Sequence, residues 1–228
     1  MQKDVAIVFD FDGTLYPIRQ FDSEQLLVHL LAQHADEHFR AEAERFIADD
    51  QAGCFLLEDF HLRYAQMVKG ATAELVDEVG KRLSTLVSEA DRTALKGLRE
   101  ATDGQFIILS CGTENLAEAF LKHLGLSSLF PTIRGKRLHF NEGGYAHITV
   151  DIHTPLAKQK AIEELRGRFD TIISVGDGPT DIPMLQASDL GMIIDWDGNG
   201  ADHPFETYRS LPEVTRRILD YLQSAKRA

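Results

Sequence analysis

Val5-Ala6-Ile7-Val8-Phe9 is an unbroken apolar run that stops on Asp10-Phe11-Asp12-Gly13-Thr14. A five-residue run, rich in β-branched side chains and with no polar member, suits a strand covered on both faces, which is the position of a central strand in a parallel sheet. The pattern recurs. Phe106-Ile107-Ile108-Leu109 closes on Ser-Cys-Gly-Thr, Thr171-Ile172-Ile173-Ser174-Val175 on Gly-Asp-Gly, and Leu190-Gly191-Met192-Ile193-Ile194 on Asp195. Between these runs the apolar spacing becomes helical, at Glu114–Leu124, Leu156–Leu165 and briefly around Pro183-Met184-Leu185. Strands alternating with helices predict an α/β fold with a doubly wound, Rossmann-like parallel sheet.

Asp22 to Ser88 is different text. Leu26, Leu27, Leu30 and Leu31 form one helical stripe, Leu56, Phe60, Tyr64 and Met67 a second, and Leu75, Val79, Leu83 and Leu86 a third, with Gly53 and Gly70 as breaks. No strand-like run interrupts them, so a helical insertion is expected after the first strand. The expected division is a core of residues 1–15 and 90–228 and a cap of residues 16–89. A helix over about Arg92 to Ala101 then leads into the second strand. Lys136 to Val150, with Asn141-Glu142-Gly143-Gly144 in the middle, reads as a β-hairpin appended to the sheet, its turn needing positive φ.

At 228 residues the chain is long enough for one domain with an insertion, and 43% hydrophobic with 26% charged residues excludes a disordered or fibrous chain. The formal net charge of −12 repels nucleic-acid phosphates and anionic membranes, so neither is an expected partner. Small phosphorylated molecules stay in play, because a bound divalent cation reverses the sign locally. Cys54 and Cys111 are in no metal-ligand spacing and read as free thiols. With no signal-peptide run at the start and no long apolar segment, the expectation is a cytoplasmic protein.

Ligands of open parallel sheets bind outside the carboxyl ends of the strands. Here those ends carry Asp10 and Asp12, then Ser110 with the amides of Cys111 and Gly112, then Asp177 and, four residues on, Asp181. Four carboxylates converging on one edge would repel one another and resist desolvation. A divalent cation resolves the conflict, and an oxygen-only set with room for water and phosphate favours Mg²⁺.

Asp10 to Thr14, the apolar strand closing on Ser110, the lysine within Leu156-Ala157-Lys158-Gln159-Lys160-Ala161-Ile162, and Gly176-Asp177-Gly178-Pro179-Thr180-Asp181 together resemble the haloacid dehalogenase superfamily. The motifs stand in the family's order, and the helical cap after the first strand is most similar to the phosphoserine phosphatase branch. The resemblance implies a Mg²⁺-dependent phosphomonoester hydrolase acting on a small phosphorylated metabolite. Asp10 is the implied nucleophile, forming an aspartyl phosphate, and Asp12 the acid and base that serves the leaving alkoxide and the attacking water. Metal ligands are implied at Asp10, at the backbone carbonyl of Asp12 and at Asp177, with Asp181 acting through water or behind the others. Ser110 and the amides of Cys111 and Gly112, at the start of a helix, are expected to bind phosphoryl oxygens. Lys158 is expected to neutralise Asp10 and the transferred group; Lys160 is its rival, and the family spacing before Ala161 and Ile162 favours Lys158.

Other residues carry plainer readings. A Cys111 thiol beside acidic groups has a raised pKa and makes a poor nucleophile. The nine histidines show no ligand spacing, His153 being the nearest to a motif. Asp195 to Gly200 reads as a turn-rich loop at the rim. Arg19, between catalytic loop and cap, is the candidate for reading an anionic group on the substrate. Phosphoserine phosphatases carry a glutamate in the stretch occupied here by Tyr16-Pro17-Ile18-Arg19, and Ser-Gly-Gly where this chain has Ser110-Cys111-Gly112, so the substrate need not be phosphoserine. A phosphomutase would keep every motif, whereas a dehalogenase would need neither Asp12 nor Asp177. A receiver protein would be shorter and without a cap, and a non-catalytic phosphate-binding homologue would be expected to lose Asp10 or Asp12, both of which are present.

Overall fold

The structure, a computed structural model, describes residues 4–199 and 203–225. Among the described residues, seven strands form one sheet in the order β4-β3-β2-β1-β5-β6-β7. These are β1 (Val5–Phe9), β2 (Gln105–Thr113), β3 (Thr132–Asn141), β4 (Gly144–Val150), β5 (Thr171–Gly176), β6 (Leu190–Ile194) and β7 (Glu206–Tyr208). All neighbours pair in parallel except β3 and β4. The four apolar runs are thus β1, β2, β5 and β6, with β1 central.

Both faces of the sheet are covered, as a parallel sheet requires. Ile7 and Phe9 of β1 join Phe106, Ile108, Ile173 and Val175 in one core, whereas Ala6 and Val8 join Ile107, Leu109, Ile172 and Ile193 in the other. The period of two sets the division, since alternate side chains leave a strand on opposite faces. The first core rests on α5 (Glu89–Ala101), α6 (Glu114–Leu124) and α9 (Leu211–Ala225), and the second on α7 (Pro155–Leu165) and α8 (Ile182–Ala187).

The inserted segment holds four helices, not three: α1 (Ser23–Gln33), α2 (Glu37–Gln51), α3 (Leu57–Met67) and α4 (Ala73–Ser84). Asp22, Asp36 and Thr72 cap α1, α2 and α4 by accepting an N–H three residues on. The second helix escaped the sequence reading because its buried face, Ala43, Phe46 and Ile47, is small and interrupted by charged residues. Gly53, at φ 66, leads the chain out of α2.

The hairpin is also more than an appendage. Its first strand, β3, pairs in parallel with β2 and antiparallel with β4, so it belongs to the sheet, and Gly144 takes φ 101 at the turn. Tyr145 N–H donates to Ala71 O at 2.9 Å, which ties the hairpin to the loop between α3 and α4. Among the described residues, no helix is long and apolar enough to cross a membrane.

Candidate active site

The carboxyl ends of β1, β2 and β5 bring most of the expected residues together. Asp10 is 5% exposed, its N–H donating to Val175 O at 2.9 Å, so the end of β1 is tied to β5. Gly13 then turns the chain at φ 75, and a Cβ there would stand 2.2 Å from Asp177 Oδ2. Only glycine lets the loops after β1 and β5 approach this closely. Asp10, Asp177 and Asp181 each offer a carboxylate oxygen within 4.8 Å of the others.

Lys158, on α7, answers this negative charge. Its Nζ donates to Asp10 Oδ1 at 2.8 Å and to Asp181 Oδ1 at 2.6 Å, and the side chain is 1% exposed. Lys160 is exposed. The other oxygen of Asp181 accepts from the N–H groups of Asp177 (3.0 Å) and Gly178 (3.4 Å), so Asp181 braces the loop as well as the lysine.

One ammonium does not balance this set. Burial, with Asp181 and Asp12 nearby, pushes the Asp10 carboxyl up to about 7 even though Lys158 opposes the shift. Asp177 is held well above the usual carboxylate range by burial and by Asp181 and Asp10. For Lys158 burial would lower the pKa, but Asp10 and Asp181 outweigh it and hold the ammonium well above its ordinary value. Carboxylates that resist ionisation together, all offering oxygen, fit a hard divalent cation such as Mg²⁺. The Asp12 carboxylate stands outside this group and has other partners. Its Oδ1 accepts from Ser23 N–H at 2.7 Å and from the Tyr16 hydroxyl, its Oδ2 from the Ser23 hydroxyl at 3.0 Å, and burial still raises its pKa.

Ser110, Cys111 and Gly112 occupy a break in the ladder, where β2 and β3 pair at Leu109 with Arg134 and next at Thr113 with Lys136. This irregularity aims Ser110 at the site. This segment does not open the following helix as expected, because it is still strand. Cys111 and Gly112 belong to β2, which runs on to Thr113, α6 begins at Glu114, and Gly112 N–H donates to Ser110 Oγ at 3.0 Å. The Cys111 thiol is pushed up to about 11, chiefly by burial, with Lys158 opposing and Asp10 adding to the shift.

These residues line a cavity of about 230 Å³ whose far wall comes from the inserted helices. Sequence reasoning missed that wall. Glu24 of α1 and Lys136 of β3 form a buried ion pair at 2.7 Å, and Asp22 and Asp50 stand beside it. His61 of α3 and His153 meet across the cavity with ring centroids 5.4 Å apart, a pairing no sequence spacing reveals. Arg19 is not brought to the cavity: half-exposed, it pairs with Asp197 at 2.7 Å. Its neighbour Trp196 donates from Nε1 to Gly13 O at 2.8 Å, so the loop after β6 buttresses the aspartate turn, while Gly200 lies outside the described residues.

No curated protein matches the sequence. Among solved structures the fold is similar to a substrate-bound phosphoserine phosphatase complex (18% identity, TM-score 0.67, covering 97% of this chain and 99% of that one). It is also similar to a phosphoserine phosphatase from T. onnurineus (20%, 0.64, 96% and 95%). A HAD family hydrolase from Salmonella enterica subsp. enterica serovar Typhi matches at 18% identity and TM-score 0.67, covering 90% of this chain and 67% of that one. The family model of haloacid dehalogenase-like hydrolases matches residues 7–186, which span the strand ends, the inserted helices, Lys158 and both later aspartates, and the chain therefore belongs to that family.

Proposed function

We propose that the protein is a Mg²⁺-dependent phosphomonoester hydrolase that works through a phosphoryl group carried on Asp10. The observation that carries this reading is the arrangement around Asp10: Lys158 on one oxygen, Asp177 and Asp181 within 4.8 Å, and Asp12 two residues on along the same loop. Asp10, Asp177 and the backbone carbonyl of Asp12 would hold the ion, with Asp181 behind them. When bound it supplies positive charge to the carboxylates and to the phosphoryl oxygens.

In the first half of the reaction an Asp10 oxygen bonds to phosphorus as the ester oxygen departs with its electron pair and takes a proton from Asp12. In the second half Asp12 takes a proton from water, the water oxygen bonds to phosphorus, and Asp10 leaves with its electron pair. Lys158 would fix the Asp10 carboxylate and offset charge on the transferred group, and the Ser110 hydroxyl would bond a phosphoryl oxygen. We assign residues 16–89 as a cap that excludes bulk water during the reaction. The cavity of about 230 Å³ suits a small phosphorylated metabolite. Two free cysteines, Cys54 and Cys111, accord with a cytoplasmic location.

The test is acid quenching of the protein with substrate and Mg²⁺, followed by mass spectrometry. One phosphoryl group on the peptide carrying Asp10, removable by hydroxylamine, is the expected result. Turnover with no phosphorylated peptide would refute the covalent route.

A further inference from the structure

Three donors hold the Asp12 carboxylate, and two of them belong to one residue outside the sheet. Ser23 gives its N–H to Oδ1 and its hydroxyl to Oδ2, while the Tyr16 hydroxyl adds a second bond to Oδ1. Tyr16 is fully buried, its ring 5.4 Å from those of Phe11 and Phe120. Gly112 closes the other side, since a Cβ there would lie 2.8 Å from Asp12 Oδ2. Asp12 therefore has little freedom as long as Ser23 stays in place.

What keeps Ser23 there is the next residue. Ser23 and Glu24 open α1, whose first turn is set by the capping box of Asp22 and Gln25. Glu24 is buried and bound at both oxygens, Oε1 accepting from the Thr113 hydroxyl and Oε2 from Lys136 Nζ at 2.7 Å. Lys136 is 2% exposed and comes from β3, with its ammonium 4.5 Å from the Phe60 ring centroid and 5.3 Å from that of Tyr64, both on α3. The sheet thus grips α1 and α3 through one buried charge. A buried ion pair is a poor means of adding stability, because desolvation offsets its attraction; what it does provide is a fixed geometry.

We propose that Ser23 is a positioning residue for Asp12 and that the Glu24–Lys136 pair is the anchor that seats it. Proton delivery to the leaving group then depends on a contact between the inserted helices and the sheet. The inference rests on the hydrolase reading above and adds residues to it.

The consequence is specific to the leaving group. As the Asp10–phosphorus bond forms and the ester bond breaks, a phenolate needs the Asp12 proton, whereas a nitrophenolate departs as a stable anion. Because kcat/KM covers steps only through loss of the leaving group, it isolates this half of the reaction. The experiment compares kcat/KM for phenyl phosphate and p-nitrophenyl phosphate, with Mg²⁺, in the full chain and in Ser23→Ala and Glu24→Gln variants. Each variant should lose about tenfold more on phenyl phosphate than on p-nitrophenyl phosphate. A Glu24→Met/Lys136→Met double variant, which removes both charges and fills their space, should show the same skew and guards against misfolding of a single variant. Equal proportional losses on the two substrates, a change confined to KM, or no loss would overturn the positioning role. Inactivity of the unaltered protein on both substrates would instead overturn the hydrolase reading together with it.

Discussion

Lys158 and Lys160 stand two residues apart on α7, yet one is sealed between Asp10 and Asp181 and the other is exposed. Lys158→Ala should abolish turnover and destabilise the fold by about 3 kcal/mol, because it leaves buried carboxylates without their partner. Lys160→Ala should change stability by less than about 0.5 kcal/mol. Urea denaturation of both variants checks the pair, and equal losses would contradict the assignment. The cysteines separate in the same way. At about pH 8 iodoacetamide should label the exposed Cys54 well before Cys111, whose thiol is pushed up to about 11; peptide mass spectrometry reads the order, and faster labelling of Cys111 would contradict it. Asp10, Asp12, Asp177 and Lys158 were legible in the sequence because each sits in a short motif at a strand end or helix start. Glu24 and Lys136 were not, being 112 residues apart and meeting only in the fold. Arg19 misled because nearness along the chain said nothing of its direction, which is toward Asp197.

At the scale of elements, the strands were legible because burial on both faces leaves uninterrupted apolar runs. Helix α2 was not, since its buried stripe is short, and β7, a three-residue edge strand reading Glu-Thr-Tyr, carries no apolar run. The hairpin was visible, but its membership of the sheet depends on pairing with β2, which local sequence does not encode. The contact between α4 and α6 was equally hidden. A Cβ on Gly80 of α4 would lie 2.5 Å from Ala119 C and 2.6 Å from Phe120 N, and backbone atoms of a packed helix cannot yield to it. Gly80→Ala should therefore destabilise the protein by about 1–3 kcal/mol, against the ~1 kcal/mol that alanine gains over glycine within a helix. Stabilisation in a urea titration would show that the two helices can move apart freely.

For the whole molecule, the acidic site ties stability to pH and, on the proposed function, to metal. Without metal the Asp10 carboxyl is pushed from 3.8 to about 7. The native state then keeps a proton that the unfolded chain has lost, so this group's contribution is complete below about pH 4 and disappears as pH rises through about 7. Mg²⁺ favours the ionised carboxylates and should restore what is lost. The rise in Tm on adding Mg²⁺ should be larger at about pH 7.5 than at about pH 5, read by thermal unfolding monitored by fluorescence. A rise of the same size at both values would show that the ion binds elsewhere.

On the proposed function, this acidic strand-end cluster hydrolyses phosphomonoesters with Asp10 as the attacking group. The most direct measurement is phosphate release from p-nitrophenyl phosphate and a panel of small phosphorylated metabolites, with Mg²⁺ and with EDTA, alongside Asp10→Asn. Release should require Mg²⁺ and fall by at least about 10³-fold in the variant, with the fold intact by circular dichroism. Release by the folded Asp10→Asn protein at the unaltered rate, or none from any compound by the folded unaltered protein, would contradict that function.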